Sequence, residues 1–437
     1  MMKYITLLFF SLCSIAQQTT NVDFIKCKAA VIPNFEEKSI KGKVYYECKV
    51  LKGIDSIRID AKNMDFSEVL VNEKPVNFKN NKKELILYEG FTKGDNTISF
   101  RYKAFPKQSL YFIGTSQSHQ IWTQGQGKYT SNWLPSFDDV NEKVIFNISV
   151  TYNDDYQVVS NGILLQKKRN LQEKTTFYEF EMEKPMSSYL VMLAIGTFNY
   201  QTEISSAGVI LERYFKPQDS LKVEPTYRYS TKIFNFLEKE IGVKYPWKIY
   251  RQIPVNDFVY AGMENTTSTI FAQEYVVDEL GFNDRNYINV NAHELAHQWF
   301  GDLITAKSGK HHWLQEGFAT YYALLAEKEV FGEDYFYNKL YENWLQIKLQ
   351  SQQKGVLPIL NEKASSLSFY EKGAWALHTI RTDIGEKKFK KAVKNYLKKY
   401  SFKNVETDDF LAEIKKVSNF DTEKFKKKWL ESTYCDS

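Results

Sequence analysis

The segment His293-Glu294-Leu295-Ala296-His297 constrains this chain more than any other feature. Helical residues advance about 100° each, so His293 and His297 would project about 40° apart, one turn from each other. One metal ion can then take a nitrogen from each. Glu294 lies about 100° around from His293 and can reach a water on the metal without being a ligand. The flanking Asn291-Ala292 and Gln298-Trp299-Phe300-Gly301 suit a buried helix ending at a glycine. Four of the six histidines lie between positions 293 and 312. The alternative is a pair of core histidines satisfied by neighbours. A second helix-like stretch, Trp313-Leu314-Gln315-Glu316-Gly317-Phe318-Ala319-Thr320-Tyr321, argues against that. A catalytic zinc wants three protein ligands and one open position, and Glu316 is the natural third if its helix packs beside the first.

The rest of the chain divides in two. From about Asn21 to Tyr200 short alternating apolar segments (43–50, 56–59, 84–87, 97–102, 144–150, 176–180 and 190–194) are separated by clusters of Asn, Asp, Gly and Lys. That spacing predicts an antiparallel β domain. From about Glu224 helical periods take over, and Phe389, Val393, Tyr396, Leu397 and Tyr400 recur on one helix face. The lysines between them predict a solvated outer face. Residues 17–203 are therefore expected to form an N-terminal β domain and residues 204–437 a mainly helical catalytic domain, a multidomain α+β chain. Net charge is only +5, from 58 basic and 53 acidic residues, which gives no electrostatic reason to expect nucleic acid.

Residues 1–16 read as an export signal. Lys3 supplies a positive start, residues 4–15 form a short apolar run, and Ser14-Ile15-Ala16 puts small residues where a signal peptidase reads. The run falls short of the roughly 18–20 residues a membrane span needs, and no later segment approaches that length. The expected destination is the periplasm or the medium. Cleavage would leave Cys27, Cys48 and Cys435. Cys27 and Cys48 are placed to face each other across a hairpin, as a disulfide in an oxidising compartment or as two buried free thiols.

At this point the residues carry a resemblance. HELAHQWFG, followed after eighteen residues by the Glu of WLQEGFATYY, resembles the gluzincin metallopeptidases, and that interval resembles the aminopeptidase N and leukotriene hydrolase family. Ala261-Gly262-Met263-Glu264-Asn265 is similar to that family's GxMEN exopeptidase motif. Tyr370-Glu371-Lys372-Gly373 resembles the segment carrying its catalytic tyrosine. Gln124-Gly125-Gln126, with Trp133-Leu134-Pro135-Ser136-Phe137-Asp138-Asp139, resembles the glutamine and FDEP region of its N-terminal domain.

The resemblance implies a thermolysin-like catalytic domain and one zinc ion held by His293, His297 and Glu316. Zinc would lower the pKa of its water from about 15.7 toward about 7. Glu294 would take the water's proton and deliver it to the leaving amine, while Tyr370 would face the oxyanion. Glu264 would bind the α-ammonium of a peptide and place only its first peptide bond on the metal. Gln126 would add a polar contact to the same amine, Gln124 would lie nearer the first side-chain pocket, and Gly262 and Met263 would border the substrate. The implied partners are peptides with a free N-terminus, acted on by a zinc aminopeptidase.

Three departures qualify the carry-over. Gln315 stands where many members have Asn. Ala323 stands where the family often has a second carboxylate seven residues after the third ligand; if that group orients a ligating histidine, zinc affinity would be weaker. The family usually continues into a further helical domain, and this chain stops after residues 425–430 and a short tail. The expectation is an uncovered cleft that tolerates longer peptides, and no leukotriene epoxide hydrolysis. Two rival functions stay open: a gluzincin endopeptidase, for which N-acetylated peptides would be good substrates, and a non-catalytic peptide-binding scaffold.

Overall fold

The computed structural model describes residues 18–353 and 355–433. The expected signal segment and Cys435 lie outside the described residues.

The first unit is built on strands whose side chains alternate between core and solvent. Val22–Asn34 does so along nearly its whole length, as a half-buried strand must. It pairs antiparallel with Ser39–Val50, which pairs with Gly94–Ala104, which pairs with Met64–Val71. On its other side it runs parallel to Lys143–Asn153, so the large sheet is mixed rather than wholly antiparallel. A four-stranded sheet containing Leu110–Thr115 and Ser118–Thr123 packs with it. The tight turn after Asn34 sets Asn34 opposite Ser39. That register places Cys27 opposite Tyr46, and a bulge after Phe24 places Cys48 opposite Phe24. The two cysteines are therefore offset along the ladder, and both are buried free thiols.

The second unit begins with a five-stranded sheet: Asn199–Ile204, Ile210–Phe215, Ile249–Val255, Ser268–Ala272 and Gly262–Met263, in that spatial order. Its first strand runs through the expected 203/204 boundary. Ile249–Val255 and Ser268–Ala272 are buried at every position. They therefore show no alternation, and a purely helical reading of this region passes over them. Helices α1 (Ser230–Ile241), α2 (Ile288–His297), α3 (Trp313–Phe331), α4 (Glu333–Ser351), α5 (Gly373–Ile384), α6 (Glu386–Tyr400) and α7 (Thr407–Val417) complete the unit. In α6 Phe389, Val393, Tyr396 and Leu397 are buried, and the lysines between them are exposed apart from the half-buried Lys390.

One continuous apolar core joins the two units. Buried hydrogen bonds cross between them beside Gly262–Met263: Asn161 Nδ2 donates to the Thr266 carbonyl at 2.7 Å and Gly162 N to Thr267 Oγ1 at 2.8 Å. Arg251 returns a bond to the Gly162 carbonyl at 2.6 Å. The first unit thus fixes the segment carrying Glu264. Among the described residues, no helix is long and apolar enough to cross a membrane.

Candidate metal centre and active site

Helix α2 presents His293 and His297 on one face, and their Nε2 atoms stand 3.0 Å apart. Helix α3 brings Glu316 to the same point, with Oε2 3.4 Å from His293 Nε2 and 3.2 Å from His297 Nε2. The ligand atoms of these three residues all lie within 4.8 Å of one another, the one such group among the described residues.

These residues fit a metal ion. His297 Nδ1 lies 2.9 Å from the Phe300 carbonyl, which can only accept, so Nδ1 carries the hydrogen and the neutral ring turns a bare Nε2 inward. That lone pair, His293 Nε2 and Glu316 Oε2 converge on one point. Neither Glu316 oxygen has a hydrogen bond of good geometry, although the side chain is buried. Two imidazoles with one carboxylate are a donor set for zinc. Burial opposes the charged form of His297, but Glu316, Glu264 and Glu294 together drive it well above the usual imidazole range. Burial alone would raise Glu316, yet His297 and His312 hold it well below the usual carboxylate range.

Glu294 is outside this triangle and lies against the backbone of Gly262. A Cβ at position 262 would fall 2.3 Å from Glu294 Oε1 and 2.5 Å from its Cγ and Cδ. Gly262 therefore makes room for Glu294, a role its place in the motif does not disclose. Should Glu294 serve in proton transfer, Gly262→Ala is expected to lower turnover at least about tenfold with metal content unchanged, since misplacing such a group costs rate. Steady-state kinetics with metal analysis checks this. Turnover equal to that of the unsubstituted chain would refute the packing argument.

Glu264 is buried, and its Oε1 has no hydrogen-bond partner. Burial, then the neighbouring Glu316, raise its carboxyl above the usual range, with His297 opposing. Its backbone is tied to α2: Gln298 Nε2 donates to the Glu264 carbonyl at 3.0 Å, and Gln298 Oε1 accepts from Thr267 N at 2.8 Å. Met263 is buried and pairs with Ile270.

Tyr370 sits on a π-helical turn, Ser368–Lys372, leading into α5. Its ring is parallel to that of His293, with centroids 5.5 Å apart. Burial, then the charges of Glu316 and Glu264, keep its hydroxyl protonated. Two glycines set this approach. A Cβ on Gly373 would fall 2.9 Å from Gly317 Cα, so α3 and α5 touch backbone to backbone beside Glu316 and Tyr370.

A cavity of about 440 Å³ between the two units adjoins the cluster. Gln126, Tyr189, His312 and Gln315 line it, whereas Gln124 is buried away from it. The amide of Gln315 spans two partners, accepting from Ala306 N at 2.9 Å and donating to Tyr189 Oη at 3.2 Å. Ala323 is buried in α3. No hydrogen bond from a described residue reaches the outer nitrogen of His293, whereas Phe300 serves His297. Sequence reading passed over Gln298 and His312. His312 was detectable, since it precedes Glu316 by four residues on one helix face.

Comparison with known proteins adds the lineage. The chain is 28% identical over 415 residues to "Probable aminopeptidase 1" of Sulfurisphaera tokodaii, covering 91% of this chain and 52% of that protein. It is 29% identical over 312 residues to a glutamyl aminopeptidase of Bos taurus, covering 68% and 32%. It is 25% identical over 412 residues to a leucyl aminopeptidase of Saccharolobus solfataricus, covering 91% and 52%. The chain thus spans about half, or less, of the length of these relatives. The Peptidase M1 N-terminal domain matches residues 27–190, on the strand-rich unit, and the Peptidase family M1 domain matches residues 226–429, around the His-His-Glu cluster. Two successive domains of one family, each lying on its own folded unit, decide the lineage: this chain belongs to peptidase family M1.

Proposed function

We propose that this chain is an exported zinc aminopeptidase that hydrolyses the first peptide bond of substrates with a free α-amine. The observation that carries the reading is the pairing of a His-His-Glu cluster with the buried, unpartnered Oε1 of Glu264. A cluster alone suits any metallopeptidase. A carboxylate held beside it suits a substrate that brings a positive charge. The names of the relatives support the same activity, and the leader-like residues 1–16 support export.

His293, His297 and Glu316 would hold the zinc, which supplies Lewis acidity to a water and to the scissile carbonyl. Glu264 binds the α-ammonium and thereby sets how far into the site the peptide reaches. Glu294, resting on Gly262, takes a proton on its carboxylate and passes it to the leaving nitrogen. The Tyr370 hydroxyl donates a hydrogen bond toward the carbonyl oxygen as charge develops there. Gln126, on the cavity wall, offers the amine a second polar contact.

Amino-acid amide fluorophores, with and without a chelator, test this directly. Chelator-sensitive release is expected, falling at least about 30-fold when the α-amine is acetylated, because one partner of a buried charge pair is then missing. Equal cleavage of acetylated and free substrates would establish an endopeptidase instead. Zinc binding without any release would establish a binding protein.

A further inference from the structure

We infer that the outer face of α4 is a self-association surface, on which a second copy of this chain docks with its own α4 running antiparallel. Tyr337, Tyr341, Leu345 and Leu349 recur every four residues along this helix and are 53%, 61%, 41% and 64% exposed. The stripe is about 18 Å long at about 1.5 Å per residue. Exposed large apolar side chains normally occur singly, and a row of them marks a contact surface. A different side of α4 packs onto its own unit through buried Phe336, Leu340 and Ile347. A groove of about 470 Å³ adjoins the stripe, lined by Trp344, Trp375 and Trp429 together with Tyr337 and Tyr341. The rings of Trp375 and Trp429 lie 5.3 and 6.3 Å from that of Trp344, so apolar surface continues from the helix into the groove.

Charge complementarity makes the occupant a second copy. Asp334 and Lys348 each stand seven residues from Tyr341, and Tyr337 and Leu345 each stand four. At about 100° per residue, all four project within about 40° of Tyr341. A two-fold axis at Tyr341 therefore sets Asp334 against Lys348 of the second copy, and Tyr337 against its Leu345. Each contact occurs twice, as in any isologous interface. A parallel pairing would bring like charge to like charge. Asp334 and Lys348 are also available. Neither has an ion-pair partner among the described residues, whereas Lys328 holds Glu333 and Lys339 holds Glu342. One helix stripe and one groove are small beside the roughly 800 Å² per partner of a stable interface, so the expected association is reversible and micromolar.

Sedimentation equilibrium on the full chain as exported, in reducing low-salt buffer at about 1–100 µM, tests this. A reversible monomer–dimer equilibrium is expected. Tyr341→Glu sets two carboxylates against each other at the axis and is expected to weaken the dimer at least about 30-fold. Asp334→Lys or Lys348→Glu alone turns two attractions into repulsions, and each is expected to weaken association at least about threefold. The double variant restores both pairs with their signs exchanged and is expected to regain the affinity of the unsubstituted chain. All three positions are exposed, so the fold is expected to tolerate these changes. A chain that stays monomeric throughout overturns the proposal and leaves the stripe to a different protein or to a lipid surface. A dimer indifferent to Tyr341→Glu overturns it by placing the interface elsewhere. Single charge variants without effect, or a double variant that does not recover, overturn the antiparallel pairing.

Discussion

Glu294→Gln is expected to keep one zinc ion per chain and to lose turnover by about 10²–10⁴-fold, the usual contribution of a positioned proton-transfer group. The change is nearly isosteric, which matters because Glu294 is packed against the Gly262 backbone. Glutamine occupies the same space but cannot take a proton from water and hand it on. Zinc should remain, because the ligand atoms belong to His293, His297 and Glu316, and Glu294 is outside that group. Burial, with Glu264 and Glu316 nearby, raises the Glu294 carboxyl well above its usual range. Removing one of three clustered carboxylates therefore should not impair folding. Metal analysis alongside kcat decides the matter. Loss of zinc would make Glu294 a ligand or a structural support, and retained turnover would remove it from the chemistry.

The second large effect concerns substrate class. Glu264→Ala is expected to lower kcat/KM for free-amine substrates by at least about 30-fold, the lower end for breaking a buried charge pair. The slow cleavage of the matching N-acetylated substrate should change far less, since no ammonium is present to lose its partner. The contrast between the two substrates is the informative quantity. Glu264 neighbours the His-His-Glu cluster electrostatically, so a general disturbance of the site would lower both rates alike. Such a parallel loss would refute its role as the amine anchor. The Gln298 bonds go to backbone atoms of residues 264 and 267 and should survive truncation of the Glu264 side chain.

Legibility in the sequence followed the range of the interaction involved. Strands with one wet face, such as Val22–Asn34, announce themselves by alternation. So does α6, with Phe389, Val393, Tyr396 and Leu397 buried along one side. The strand Ile249–Val255 is buried on both faces, so it carries no period that sets it apart from a buried helix. The cysteine pairing depended on register, which a tight turn and one bulge shifted by a few residues. The large sheet became mixed because the long connection between Val22–Asn34 and Lys143–Asn153 brings them together in parallel, a choice no local pattern encodes.

What the sequence determined by itself was helical geometry around the metal motif. Two histidines four residues apart share a face of any helix, and the glutamate between them is turned aside. Only the tertiary structure decided how the other groups arrive. Glu316 meets the histidines because α3 packs beside α2. Tyr370 lies over His293 because Gly317 and Gly373 let α3 and α5 touch. Glu264 is held to α2 by Gln298, and Glu294 has its place because Gly262 lacks a Cβ. The physical reason is that backbone periodicity fixes the directions of near neighbours along one element. Distances between elements depend on close packing, where a single methyl group at a crossing is enough to separate catalytic groups.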